Sequence, residues 1–525
     1  MGGRAQGASR RVDQGLTAGR RNVLLIMADQ LAASWLPAYG RAAVHAPNLT
    51  ALAREGLTFE HAYCPSPLCA PSRSAMLTGR LPSRIGVFDN AAELPASTPT
   101  VAHRLRANGY HTCLVGKMHF VGPDQLHGFE ERLTPDIYPA GLDWIPDWDA
   151  PTADRQPWYH TMAGVLRPGV CEASLQTDYD DEVAFRAVRK LFDLARYGRD
   201  EPFFLVASFT NPHDPWEIAR RYWDLQRREA LEPPSVAAID PDRADPHSRR
   251  LREMYGAAEL ELTDEQILTA RHGYCAAISY LDDRVGEVLA ALDDTGLAES
   301  TLVVFTADHG EMLGERGLWY KMSFFEPSAR VPLIVRGGGA RGARVADPVS
   351  LIDLAPTLTE LSGDPDISGM DGASLLGYVN GRAPRQAPDV VGEYLAEGVA
   401  APLVMVRRGR FKLVCCDDDP DQLYDVESDP NELTNLASSP AHADVYRALR
   451  AAIADRWDLT ALRDRVLASQ RERRLIARAL ARGAHTPWDF QPEPDGAMRY
   501  VRSRADLYEL HRRARLDAAP DHPSA

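Results

Sequence analysis

Leu302-Val303-Val304-Phe305-Thr306-Ala307-Asp308-His309 runs from a block of apolar residues straight into a carboxylate and an imidazole. Three other stretches have the same form. They are Val23-Leu24-Leu25-Ile26-Met27 before Asp29, Thr112-Cys113-Leu114-Val115 before Lys117 and His119, and Phe203-Phe204-Leu205-Val206 before His213. Uninterrupted apolar runs that alternate with helical stretches are the pattern of strands buried on both faces of a parallel sheet. Ligands of such sheets bind beyond the carboxyl ends of the strands, so the polar groups that end these runs are expected on one rim. Helical periodicity covers 97–108, 181–197 and 265–295, the last setting Ile278, Leu281, Val285 and Leu289 along one face; these helices are expected to cover the sheet. The fold class read from the residues is α/β.

A chain of 525 residues can bury a large core, and its apolar runs are far too short to span a bilayer, which argues against a membrane protein. Lys+Arg 59 against Asp+Glu 74 leaves a net charge of −15 with no long basic run, so no nucleic-acid partner is expected. Residues 1–20 are rich in Gly and Arg, lack the apolar segment of a secretory signal, and read as a disordered lead-in. Seven cysteines, an odd number without scaffold-like spacing, read as reduced thiols; both features point to the cytoplasm. The catalytic domain is expected over 21–385. Short strand-like pieces at 390–395, 403–407 and 411–415, with a turn at Arg408-Gly409-Arg410, predict a small antiparallel-sheet subdomain over 386–440. Residues 441–525 read as a helical segment to about 482 and then an irregular tail containing Trp488-Asp489-Phe490.

The most informative motif is Cys69-Ala70-Pro71-Ser72-Arg73. Pro71 suits the first turn of a helix, where its missing N–H costs nothing, so Cys69 is expected at the positive, anion-attracting end of a helix running to about 79. With Asp29, Gly116-Lys117-Met118-His119, Pro212-His213-Asp214-Pro215, Thr306-Ala307-Asp308-His309-Gly310 and Lys321 in this order, the chain resembles the formylglycine sulfatases over about 21–440. In that family the Cys of Cys-x-Pro-Ser-Arg is oxidised to an aldehyde by a separate formylglycine-generating enzyme. The resemblance implies an alkaline-phosphatase-like α/β/α sandwich with a large mixed, mostly parallel sheet. It also implies one divalent metal held by Asp29, Cys69 as formylglycine (3-oxoalanine), Asp308 and His309, with Ca²⁺ favoured and Mg²⁺ or Mn²⁺ as alternatives. Arg73 would orient the aldehyde hydrate, Lys117 and Lys321 would grip sulfate oxygens, His213 would protonate the leaving group and His119 would assist hemiacetal breakdown. A hydrated aldehyde suits this chemistry because one hydroxyl attacks sulfur and the other later expels the sulfate.

Many members of that family carry Asp-Asp where this chain has Asp29-Gln30, and Asp-Asn where it has Asp308-His309. The altered set resembles the branch holding phosphonate monoester hydrolases and choline sulfatases. Stretches 68–73, 81–86, 89–93, 116–130, 314–325, 392–398 and 485–490 look like the choline sulfatases within that branch. This implies choline-O-sulfate as substrate, with a quaternary ammonium that aromatic faces and carboxylates recognise. Trp144, Trp488 and Asp489 are the expected cation site, with Glu397 adding negative charge and Asn90 and His160 as polar lining. The tail must then fold back onto its own core or a neighbour's, and a homo-oligomer, a tetramer, is expected. The alternatives are a phosphonate monoester or phosphodiester hydrolase on the same nucleophile, or a non-catalytic protein that binds choline esters.

Overall fold

In the computed structural model, residues 20–41, 43–150, 160–198, 201–384, 387–399, 401–484, 486–492 and 511–512 are described. The lead-in expected before residue 20 and most of the tail beyond 492 lie outside them. Eleven strands precede the small sheet. They are β1 (Asn22–Ala28), β2 (Leu57–Tyr63), β3 (His111–Gly116), β4 (Glu131–Arg132), β5 (Gly169–Val170), β6 (Phe203–Ser208), β7 (Glu217–Ile218), β8 (Thr301–Ala307), β9 (Arg330–Arg336), β10 (Ala343–Val345) and β11 (Val349–Ser350). Nine of these build one sheet in the order β10-β2-β9-β8-β1-β6-β3-β4, with β11 also on β2, while β5 pairs with β7 alone.

The four apolar runs are β1, β3, β6 and β8, and they lie side by side as β8-β1-β6-β3, all parallel. Their buried, mostly apolar side chains fill both faces of the pleat, which is why no polar alternation interrupts them. β9 runs antiparallel to β2 and β8, so the sheet is mixed but mostly parallel. Pro332 in β9 has no N–H to give to a ladder, and β2 changes register between Phe59 and Ala62 where Leu333 and Val331 pair with it; the irregularity accommodates the proline.

Two groups of helices cover the sheet, giving the α/β/α layering. Pro47–Glu55, Leu175–Tyr197 and Asp264–Asp294 pack together, and Cys69–Thr78, Val101–Ala107 and Leu354–Leu361 form the other group. The helix expected from 97 starts at Val101 because Thr100 caps it, its side chain accepting from the His103 N–H.

A second sheet contains β12 (Val390–Tyr394), β13 (Leu403–Arg408), β14 (Phe411–Cys416) and β15 (Asp419–Asp425), all antiparallel. The fourth strand was not expected: its Asp-Pro-Asp-Gln start has no strand-like composition, and it forms by pairing with β14. Val404 and Val406 of β13 join Leu449 and Ile453 of helix Ala443–Arg456 and Leu462 and Val466 of helix Leu459–Leu480 in one core, while Leu403 and Met405 on the strand's other face join the main core. That core also takes in Ala75 and Phe88, so the C-terminal helices pack close behind the Cys69 helix. All seven cysteines are free thiols.

Candidate active site

Asp29 follows β1, Asp308 and His309 follow β8, Lys117 follows β3, and His213 lies five residues past β6. Because these strands are neighbours, their carboxyl ends bring all five residues to one rim. Gly116 allows the chain to turn there: at φ +101° it lies so close to β6 that a Cβ would meet the Ser208 carbonyl oxygen at 1.9 Å.

The helix Cys69–Thr78 is buried along its whole length and begins at Cys69 itself. Ser72 Oγ donates to the Asp308 carbonyl at 2.6 Å, and Asn90 Oδ1 accepts the Ala70 N–H at 3.0 Å, so both sides of its first turn are tied down. Cys69 Sγ then sits 3.2 Å from His309 Nε2 and 3.9 Å from Asp29 Oδ1. One donor atom from each of Asp29, Cys69, Asp308 and His309 lies within 4.8 Å of the others, all four residues being buried.

Burial, then the Asp29 carboxylate, pushes the Cys69 thiol up to about 12. An unmodified thiol here stays protonated and is a poor nucleophile. Burial opposes the charge on Asp29, but its cationic neighbours, Lys117 first and then Arg73, hold its carboxyl well below the usual range. His309 is pushed down to about 4, chiefly by burial. Its Nδ1 lies 3.0 Å from the Gly310 carbonyl, which places the proton there and leaves Nε2 free as a ligand. Two carboxylates and one neutral imidazole beside residue 69 form a donor set that fits a hard divalent cation.

Three buried cations surround this cluster. Arg73 sets Nε on Asp308 Oδ2 at 2.7 Å, one terminal nitrogen on the Lys117 carbonyl at 2.7 Å and Ser208 Oγ at 2.9 Å, and the other 3.6 Å from Asp29 Oδ2. Lys117 Nζ pairs with Asp29 Oδ2 and lies 4.0 Å over the Tyr138 ring. Lys321 Nζ donates to Gln30 Oε1 at 2.5 Å and to His213 Nε2 at 3.0 Å. Arg73, Lys117 and Lys321 face the carboxylates of Asp29 and Asp308, with Asp214 a third carboxylate beside Lys321, so these side chains come close to charge balance and a divalent cation would supply the surplus that suits an anionic ester.

Gln30 explains one departure in the sequence. Its backbone N–H donates to Asp308 Oδ1 at 3.0 Å, while its side chain turns to Lys321, Glu311 and Asp214. It holds the Lys321 ammonium. Glu311 beneath it is pushed up to about 8 by burial, and so adds no negative charge at neutral pH.

A cavity of about 540 Å³ opens onto Cys69 and Lys321. Asn90, Trp144, His160 and His213 line it as expected partners, and Tyr138 and Tyr320 contribute aromatic wall that the sequence did not single out. His119 contacts this wall edge-on through Trp144, with ring centroids 5.7 Å apart, and burial followed by Lys117 pushes it down to about 3. Glu397, Trp488 and Asp489 are not among the residues that line the cavity. Glu397 is buried, its carbonyl accepting from Tyr394 Oη at 2.8 Å. Asp489 Oδ1 accepts the Ala140 N–H at 3.0 Å, fastening the loop that carries Tyr138 and Trp144.

Comparison with known proteins accounts for this constellation. The Sulfatase family model matches residues 21–363, and the chain belongs to the sulfatase family, a sulfuric ester hydrolase on an alkaline-phosphatase-like fold. A model described as choline sulfatase enzyme C terminal matches 464–516, and one for the N-sulphoglucosamine sulphohydrolase C-terminal region matches 314–458. The chain is 46% identical over 507 residues to the choline-sulfatase of Rhizobium meliloti strain 1021, covering 94% of this chain and 98% of that protein. Among solved structures, the phosphonate monoester hydrolase of Agrobacterium radiobacter aligns with a TM-score of 0.66 at 26% identity, over 85% of this chain and 96% of that one. The phosphonate monoester hydrolase of Silicibacter pomeroyi aligns with a TM-score of 0.67 at 27% identity, over 83% and 94%.

Proposed function

We propose that the protein hydrolyses choline-O-sulfate to choline and inorganic sulfate, with Cys69 matured to formylglycine by a formylglycine-generating enzyme. The observation that carries this reading is the aromatic-walled cavity that ends on Cys69 and Lys321. A quaternary ammonium has no hydrogen-bond donor, so ring faces such as Trp144 and Tyr138 are the complementary surface, while the cationic end of the cavity takes the sulfate. Near-full-length similarity to a choline-sulfatase supports the same substrate.

Asp29, residue 69, Asp308 and His309 would hold one divalent cation, Ca²⁺ by preference with Mg²⁺ or Mn²⁺ as alternatives. When bound, that cation neutralises charge on the sulfate oxygens and on the attacking group. The hydrated formylglycine supplies the nucleophilic oxygen. Arg73, locked on Asp308, orients residue 69 and balances the carboxylates around it. Lys117 and Lys321 bind sulfate oxygens, Lys321 held in place by Gln30. His213 Nε2 accepts from Lys321 before substrate binds, takes up a proton with the anionic ester and passes it to the departing choline oxygen, and His119 takes the proton that the second hydroxyl of residue 69 loses as sulfate leaves. His160 and Asn90 line the cavity, and Asp489 ties the Trp144 loop to the tail.

We assign 21–385 to the catalytic domain, 386–440 to a small-sheet subdomain and 441–525 to a tail that supports the pocket, in a cytoplasmic homotetramer. No helix among the described residues is long and apolar enough to cross a membrane.

The fold is also shared with phosphonate monoester hydrolases, so the decisive comparison is turnover of choline-O-sulfate, an aryl sulfate and a phenyl phosphonate monoester by one matured preparation. The highest kcat/KM is expected for choline-O-sulfate. A clear preference for the phosphonate would overturn the substrate assignment.

A further inference from the structure

The helix Leu459–Leu480 reaches the site from behind. Its Arg473, with a side chain 10% exposed, sets two terminal nitrogens on the two carboxylate oxygens of fully buried Asp89, each at 2.7 Å. Asp89 in turn shapes the turn that follows it: Oδ1 accepts the Ala91 N–H at 3.0 Å and its carbonyl accepts the Ala92 N–H at 3.2 Å. Asn90 lies inside this turn, and its Oδ1 accepts the Ala70 N–H at 3.0 Å, in the first turn of the helix that begins at Cys69. The same C-terminal helix also fastens the loop that carries Trp144. Gln470 Oε1 accepts the Trp148 N–H at 3.0 Å, and Arg471 makes a two-point contact with Asp149 at 2.7 and 2.8 Å, at the far end of the Trp144 loop.

We infer that Arg473 is a positioning residue for the nucleophile: through Asp89 and Asn90 it fixes the direction from which residue 69 meets the ester. A planar guanidinium holds both oxygens of a carboxylate at once and so fixes its orientation, which a lysine ammonium cannot reproduce. Without that cation, Asp89 is a buried carboxylate with no counter-charge, and the turn around Asn90 rearranges to solvate it. A small displacement of a nucleophile lowers turnover of bound substrate more than it weakens binding, so the signature is a fall in kcat at nearly constant KM.

The inference rests on sulfate-ester hydrolysis at residue 69 and not on the choline assignment, so both an aryl sulfate and choline-O-sulfate are assayed. The full chain is matured with the converting enzyme, and rates are expressed per converted residue 69. Arg473→Ala is expected to lower kcat about 10- to 100-fold with KM changed less than about threefold, and Arg473→Lys to recover only part of it. Asp89→Asn in the Arg473→Ala background removes the stranded charge and is expected to raise kcat above that of Arg473→Ala alone. Arg463→Ala, a change on the same helix that breaks an exposed pair with Asp418 between β14 and β15, is expected to leave kcat unchanged. Wild-type kcat in folded Arg473→Ala, or a loss confined to KM, overturns the inference. Should Arg473→Ala fail to fold, Arg473→Lys decides: a reduced kcat at constant KM supports the role and a wild-type kcat overturns it. A wild-type protein that turns over the aryl sulfate but not choline-O-sulfate refutes the substrate assignment alone, and the aryl sulfate rates still decide Arg473.

Discussion

The ammonium of Lys321 donates to Nε2 of His213 across 3.0 Å, in a site where burial and then Lys321 itself push His213 well below its ordinary range. His213 is therefore neutral before substrate arrives and accepts from Lys321. A sulfate ester brings negative charge between these two groups, which favours a proton on His213 when the leaving oxygen needs it. Proton donation matters most when the departing group is a strongly basic alkoxide. His213→Ala is thus expected to lower kcat about 100-fold or more for choline-O-sulfate, and far less for an aryl sulfate whose phenolate leaves unaided. Equal losses on both substrates, measured by steady-state kinetics, would remove His213 from the acid role.

Acid stability follows from His119. Its folded value of about 3 lies below the ordinary 6.5, so between these values the unfolded chain binds more protons than the folded one. The stability that comes from keeping this ring neutral is complete above about pH 6.5 and is lost as the pH falls toward 3, amounting to about 2 kcal/mol at pH 5. His127 and His61, each pushed down to about 4 with burial as the largest cause, act in the same direction. Denaturant titrations of the wild type and His119→Gln at pH 7 and pH 5 should show a smaller loss on acidification in the variant. Equal losses would mean that His119 is not held neutral.

Trp144 separates choline recognition from sulfate chemistry. It lines the cavity and packs edge-on against Tyr138 at 5.3 Å between centroids, and it is not one of the four clustered residues Asp29, Cys69, Asp308 and His309. A cation on an aromatic face is worth about 0.5–2 kcal/mol, so Trp144→Ala should raise KM for choline-O-sulfate by roughly 2- to 30-fold. An uncharged aryl group gains nothing from that term, and its KM should move much less. A uniform change in both KM values would assign Trp144 to loop packing.

Metal removal tests the four-residue cluster. Arg73 and Lys117 already neutralise Asp308 and Asp29, so the fold is expected to survive chelation. Activity should vanish and return on adding Ca²⁺, Mg²⁺ or Mn²⁺, with the preferred ion giving the largest rise in Tm at equal concentration. An ion at 100 times its Kd stabilises by about 2.7 kcal/mol. Full activity after exhaustive chelation, with no metal found by elemental analysis, would contradict the assignment of Asp29, Asp308 and His309 as ligands.

The central strands could be read directly because each is an apolar run bounded by a polar residue. β2 and β9 could not: Thr58, Glu60 and His61 dilute the first, and Pro332 interrupts the second. Their pairing tolerates both through the change of register in β2. The convergence of Asp29, Cys69, Asp308 and His309 was legible from strand ends and motif order. Tyr138 was not, since the loop around it has no periodicity, and its position over Lys117 depends on tertiary contacts alone. The hydrogen bond of Asp489 to Ala140 spans 349 residues, and no local pattern announces it. Gln30, by contrast, stood out only as a departure from a carboxylate pair; its reason is the contact with Lys321.

The most direct test is release of inorganic sulfate and choline from choline-O-sulfate by the purified chain, beside Cys69→Ala, both expressed with the converting enzyme. The wild type should release the two products in equal amounts, with the peptide containing residue 69 lighter by about 18 Da than its thiol form, and Cys69→Ala should release neither. Sulfate release by Cys69→Ala at the wild-type rate, or by wild-type protein whose residue 69 is entirely thiol, would contradict the account.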